Sequence, residues 1–206
     1  MTTLNKIILH TLSAITLVYA ASAYSDVPGY TELDNPTPWT HVASACAPDE
    51  GAIGKYSFNY GDFGFKSGVY SDVSSISTTA AAQVVLPISV RCNVTDPMDG
   101  SIKPAWNSLI VGYIDPDGTA TGTRVIARLY KLARANGSAS LIAYFDSNTL
   151  AQNVRAEALV ATKEAFDFHN NEYFVQLDLY RANQTTYYPL AYSARLAYAY
   201  QPTTIK

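Results

Sequence analysis

Side chains that move protons, attack carbon or hold metals are scarce in this chain of 206 residues, which has three histidines and two cysteines. His10 falls in an apolar N-terminal run, leaving His41 and His169 as candidate general bases. No nucleophile motif such as Gly-x-Ser-x-Gly accompanies them. His169 sits in Phe166-Asp167-Phe168-His169-Asn170-Asn171, which reads as a strand end running into a turn. Cys46 and Cys92 lack Cys-x-x-Cys spacing and a neighbouring histidine cluster, so zinc or dithiol redox chemistry is not indicated. A cysteine pair in an exported chain reads instead as one disulfide, closing a loop of about 45 residues and stabilising by roughly 4 kcal/mol.

Carboxylates are more numerous. Asp115-Pro116-Asp117-Gly118 begins like a calcium loop, in which Asp-x-Asp spacing aims oxygens at one ion. The third acid and the closing Glu are missing, and a proline-initiated turn explains the same residues. No metal or cofactor is therefore expected, and Asp115 and Asp117 stand only as calcium candidates. Asp96, Asp99, Asp146, Asp167 and Asp178 are further acids that a glycoside hydrolase would need brought together in space. Aromatic residues suggest another chemistry, because an exposed ring stacks on the C–H face of a sugar. Tyr187-Tyr188 lies in a polar loop before Pro189, and Trp39 and Trp106 lie near expected strand starts. These four are the candidate ligand-binding residues, although tyrosine also suits any half-buried sheet surface. Asn93, Asn136 and Asn183 each open an Asn-x-Ser/Thr sequon.

The elements that must position these groups are strands. Period-two alternation places Val84, Leu86, Ile88, Val90 and Cys92 on one face, with Pro87 hinting at a sheet edge. Similar rows are Leu109, Val111 and Tyr113; Val125, Ala127 and Leu129; and Tyr173, Val175, Leu177 and Leu179. A last row comprises Tyr192, Ala194, Leu196, Tyr198 and Tyr200. Residues 140–145 and 156–162 are shorter strands, with a helix over 150–165 as the alternative to the second. Residues 56–60 and 65–70 form a hairpin around Gly61–Gly64. Asp96-Pro97, Asp115-Pro116, Asn136-Gly137 and Asn170-Asn171 supply the turns between. The pattern predicts an all-β fold, an antiparallel two-sheet sandwich or jelly roll of about eight to nine strands.

Lys6, the polar-interrupted apolar run from Ile7 to Ala20, and Ala21-Ser22-Ala23 predict a cleavable signal peptide over residues 1–23. A proline-rich arm over 24–40 and one sandwich domain over 41–206 follow. No later segment reaches membrane-spanning length. At 48% hydrophobic and 15% charged the chain is no disordered polymer, and a net charge of -3 offers no basic footprint for nucleic acid. Ala45-Cys46-Ala47-Pro48, Ile88–Cys92, Tyr113–Gly118 and Phe166–Val175 together resemble small exported bacterial proteins of uncharacterised function, over about Trp39 to Leu196. That resemblance implies an exported single-domain β fold and carries over no catalytic residue. The expected function is a secreted or cell-surface, non-enzymatic role in structure, adhesion or assembly, including that of an extracellular filament subunit. The expected partner is protein, by self-association or at a surface. The alternatives are a carbohydrate-binding module and, after it, a carboxylate-dependent hydrolase.

Overall fold

The computed structural model describes residues 31–32, 37–70, 86–97, 103–150, 156–182 and 185–200. The expected signal peptide, most of the proline-rich arm, Val84, Asp99 and the sequon residue Asn183 lie outside them.

The strands are β1 (Thr31–Glu32), β2 (Trp39–Val42), β3 (Ala47–Pro48), β4 (Tyr56–Asn59), β5 (Asp62–Phe65), β6 (Ile88–Val94) and β7 (Ser108–Ile114). They continue as β8 (Thr123–Ala133), β9 (Ala139–Asp146), β10 (Ala156–Ala161), β11 (Asn171–Arg181), β12 (Leu190–Ala197) and β13 (Ala199–Tyr200). One sheet runs β10-β7-β12-β5-β4, with β2 also pairing β12, and the other runs β3-β6-β11-β8-β9. β1 and β13 form a separate pair. The chain is thus all-β, with eleven strands in two antiparallel sheets rather than eight or nine. The extra strands are short, β3 having two residues and β4 and β5 four each, below what periodicity resolves.

The inner faces are the alternating rows. Val125, Ala127 and Leu129 on β8 face the core with Val175, Leu177 and Leu179 on β11, all fully buried. β8 and β11 pair without interruption from Asn171↔Ala133 to Arg181↔Thr123. Leu109, Val111 and Tyr113 on β7 and Phe63 and Phe65 on β5 answer them from the six-stranded sheet. Each such side chain contributes roughly 1.5–3 kcal/mol on burial, which makes these rows the main driving force.

Cys46 and Cys92 are bonded. Cys46 lies between β2 of one sheet and β3 of the other, and Cys92 is fully buried in the β6 row, so the bridge pins the place where the chain changes sheets.

Several boundaries differ from the sequence reading. The β6 row starts at Ile88, after Pro87 has removed a ladder donor, and Leu86 is exposed. The early hairpin turns at Tyr60-Gly61, because Asn59 pairs with Asp62, and its second strand ends at Phe65. Residues 156–161 are strand, paired with β7, not helix. The arm is ordered at its far end, where Trp39 and Thr40 pair with Leu196 and Arg195. The last row is interrupted: the ladder between β12 and β7 slips between Ala191 and Ser193, leaving Tyr192 as the extra residue of a bulge. The core therefore takes Ala191, Ala194 and Leu196, while Tyr192 is half-buried; Tyr198, exposed, lies in the break between β12 and β13. Gly112 of β7 permits this, since a Cβ there would overlap the Tyr192 ring and Ser193 Oγ.

Candidate functional site

Where β7 ends, Asp115 is fully buried. Its Oδ1 lies 2.6 Å from Thr123 Oγ1, which also lies 2.5 Å from Asp117 Oδ1. Ser147 Oγ donates to Asp115 Oδ2 at 2.5 Å while accepting from the Val125 N–H at 2.8 Å. Asp117 Oδ2 accepts from the Gly122 and Thr123 N–H groups at 2.8 and 3.0 Å. A threonine hydroxyl has one proton, and both contacts draw on it. Thr123 Oγ1 thus bridges the two carboxyls, and Asp117 also faces two backbone N–H groups. Burial is the main cause raising the Asp115 pKa, and Asp117 raises it further. Burial and then the Asp115 charge push the Tyr113 hydroxyl up to about 12. The cluster ties β7 of one sheet to β8 and the turn after β9 of the other. The oxygens of the calcium candidates Asp115 and Asp117 are thus occupied by hydroxyl and N–H partners.

The candidate sugar-stacking rings are placed differently. Trp39 and Trp106 are 5% and 2% exposed, and neither offers an open face. The Trp106 Nε1–H donates to the Thr37 carbonyl at 2.9 Å, and its ring meets Phe166 edge-on at 5.1 Å. Tyr187 and Tyr188 are exposed. Tyr188 packs on Arg181, whose guanidinium carbon lies 3.6 Å from that ring centroid and 4.5 Å from that of Tyr70. Arg181 is only 2% exposed and donates to the carbonyls of Tyr187 (2.7 Å), Val69 (2.6 Å) and Thr185 (3.2 Å). Hydrogen bonds from Gly68 and Ser67, with the nearby Arg181 charge, hold the Tyr188 hydroxyl pKa below its ordinary value. The tyrosine pair is therefore half structural: Tyr188 packs on Arg181, which holds the Thr185 and Tyr187 carbonyls, and Tyr187 keeps an exposed ring.

The remaining candidates are dispersed. His41 lies on β2, and His169 in the turn before β11, on opposite sheets. Asp167 bonds Lys103 at 3.1 Å; hydrogen bonds from Asn170 and then Lys103 bring its pKa to about 2. Asp146 and Asp178 sit on the outer face of the five-stranded sheet, which sequence reasoning did not single out. Arg124 Nε donates to Asp146 at 2.8 Å and holds that carboxyl below its usual range. Arg128 pairs with the buried Asp178, which also accepts from Ser89 Oγ (2.5 Å) and Gln176 Nε2 (2.8 Å). Arg91 pairs with Asp49 at 3.2 Å and Arg134 with Glu172 at 2.7 Å. Rings flank three of these arginines: Phe174 by Arg91, Tyr180 by Arg124 and Tyr144 by Arg128. The available signal was the alternation itself, since residues between core positions share the outer face.

At one end of that face, where β6 and β8 end and β11 begins, a groove of about 590 Å³ opens. Its lining includes Asn93, Leu132, Arg134, Phe168, Glu172 and Phe174.

No family model matches this chain, and no curated protein matches it. A solved structure with some likeness is described as "Structure of infectious bursal disease virus Gt strain", at TM-score 0.23 and 9% identity over 84% of this chain. The matched region spans 55% of that viral chain, about half its length. Likeness at that TM-score carries no functional argument. Among the described residues, no helix is long and apolar enough to cross a membrane, and no three His, Cys, Asp or Glu side chains group as metal ligands.

Proposed function

We propose that this chain is an exported, non-enzymatic β-sandwich module with a role in adhesion or assembly at the cell surface or beyond it, and that it associates through the β9 edge of its five-stranded sheet. One observation carries the reading. β9 ends the sheet order, and residues 139–145 carry neither charge nor proline, while Leu141 and Tyr144 are 50% and 42% exposed. Sheet edges in soluble proteins are ordinarily blunted by charge, proline or a covering element, because an open ladder accepts another strand. Among the described residues, Asp146 closes the end of β9, and at Ile142 the register with β8 shifts and the carbonyl accepts from the Thr162 hydroxyl at 3.4 Å, so the open stretch is residues 139–141. The expected signal sequence and the Cys46–Cys92 bridge support export, since disulfides persist in oxidising compartments. β9 pairing with β9 of a second copy closes as a dimer, while β9 pairing with a different edge of the next copy extends into a filament, the longer form of the same role.

The test is size-exclusion chromatography and electron microscopy of the mature secreted protein across a concentration series, beside Leu141→Lys and Tyr144→Lys. Concentration-dependent oligomers or filaments that both variants abolish are the expected result. A monomer at every concentration, or assembly unaffected by either lysine, overturns the proposal.

A further inference from the structure

We infer that the groove at the end of the five-stranded sheet is a binding site for a neutral saccharide. Its volume, about 590 Å³, falls within the roughly 300–1,000 Å³ common for small-ligand sites. Its walls combine two chemistries. Phe168, Phe174 and Leu132 supply apolar surface, and Phe168 is fixed by ring contacts with Trp106 at 6.2 Å and Tyr173 at 5.0 Å. Asn93, Asp96, Arg134 and Glu172 supply hydrogen-bonding groups. A pyranose divides its surface in the same way, with apolar C–H patches on its faces and hydroxyls around its edge that both donate and accept.

Charge selects among occupants. Arg134 pairs with Glu172 at 2.7 Å and donates to the His169 carbonyl at 3.5 Å, and Asp96 adds a second carboxylate to the lining. The Arg134–Glu172 pair is neutral overall, so the groove has no excess positive charge to hold phosphate, sulfate or nucleic acid. A neutral polyol needs none. Carboxylates accept from adjacent hydroxyls, while a guanidinium has five N–H donors, more than these two contacts use. The Arg134–Glu172 pair also holds both side chains in place before a ligand arrives, which lowers the ordering cost of binding. This site shares no residue with the β9 edge, and it relocates carbohydrate recognition away from Tyr187, Tyr188 and the tryptophans.

Asn93 opens a sequon at the groove, so the test uses disulfide-bonded protein made without N-glycosylation. It is screened on an array of neutral, sialylated and sulfated oligosaccharides, and hits are measured by calorimetry and saturation-transfer NMR. Neutral glycans should bind. Glu172→Gln, Arg134→Gln and Asn93→Ala, at exposed positions whose folding is checked by circular dichroism, should each weaken binding ten-fold or more, and Tyr187→Ala should leave it unchanged. A blank array, binding confined to sulfated or sialylated glycans, or neutral-glycan binding indifferent to the three groove variants overturns the inference. Assembly measured on the same preparations separates the two ideas: oligomers with a blank array remove the groove and leave the β9 edge standing, and the reverse result removes only the edge.

Discussion

Replacing Asp115 by asparagine should change the pH dependence of stability more than stability itself. The buried carboxyl, whose pKa burial raises, accepts from Thr123 at 2.6 Å and from Ser147 at 2.5 Å. Asparagine keeps a carbonyl for Ser147 and turns its NH₂ toward Thr123 Oγ1, which still donates to Asp117, so near pH 3 the variant should lie within about 1 kcal/mol of the parent. Asp115→Ala, by contrast, strands the buried Ser147 hydroxyl at roughly 1–3 kcal/mol, while Thr123 keeps Asp117. Because the folded pKa of Asp115 is raised above the model value of 3.8, the stability it contributes is fully present below that value. It is lost as pH climbs through the folded pKa. Asp115→Asn should therefore gain on the parent steadily above pH 4 and then level off, with about 1.4 kcal/mol of gain for each unit by which the pKa is raised. Asp146 and Asp167, whose pKa values are lowered, contribute with the opposite sign, but they are common to both proteins and cancel in the difference. Urea unfolding followed by fluorescence from pH 3 to 9 measures the two curves. A difference that stays flat across that range, or a variant that loses ground as pH rises, refutes the raised Asp115 pKa.

Other perturbations have equally definite outcomes. Arg181→Lys keeps the charge but cannot reproduce a planar fork reaching three carbonyls between two rings, and should cost about 2–4 kcal/mol in chemical denaturation; a loss under 0.5 kcal/mol would show that the stack contributes little. Cys46→Ala/Cys92→Ala should lower stability by about 4 kcal/mol without changing the far-ultraviolet spectrum of the folded protein. Gly112→Ala should cost about 1–3 kcal/mol through the Tyr192 ring, and Tyr192→Ala in the same chain should recover much of it; a purely additive double mutant contradicts the close approach. The Asp167 carboxyl should titrate near 2 by carbon-13 NMR and move upward in Asn170→Ala, ahead of any change in Lys103→Ala.

The inner rows were readable because burial on a sheet follows a period of two, and Val90, Cys92, Val111, Leu129 and Leu177 obey it. Tyr192 and Tyr198 fit the same pattern on paper, yet a bulge allowed by a glycine on another strand turns Tyr192 out of the core, and Tyr198 falls in the break between β12 and β13. Trp39 and Trp106 read as surface rings because sequence shows a residue's type but not what covers it; Thr37 and Phe166, which close over Trp106, sit far from it or on another segment. Arg181 stands at the end of a long apolar alternation, and nothing local announces that Val69 and Tyr70 will meet it. The groove draws on three strand ends and one turn, so no single stretch of chain carries its signature. What was legible is therefore the repeat along each strand, and what was not is contact across the sheets.

β12 sits at the middle of its sheet, flanked by β7 on one side and by β5 and β2 on the other, and it follows all three in the chain. During synthesis those neighbours emerge with the slot between them vacant. The sheet is completed only when residues 190–197 arrive, a long-range closure of the kind that makes folding slow. A chain so ordered leaves two sheet edges open until nearly its whole length has been made.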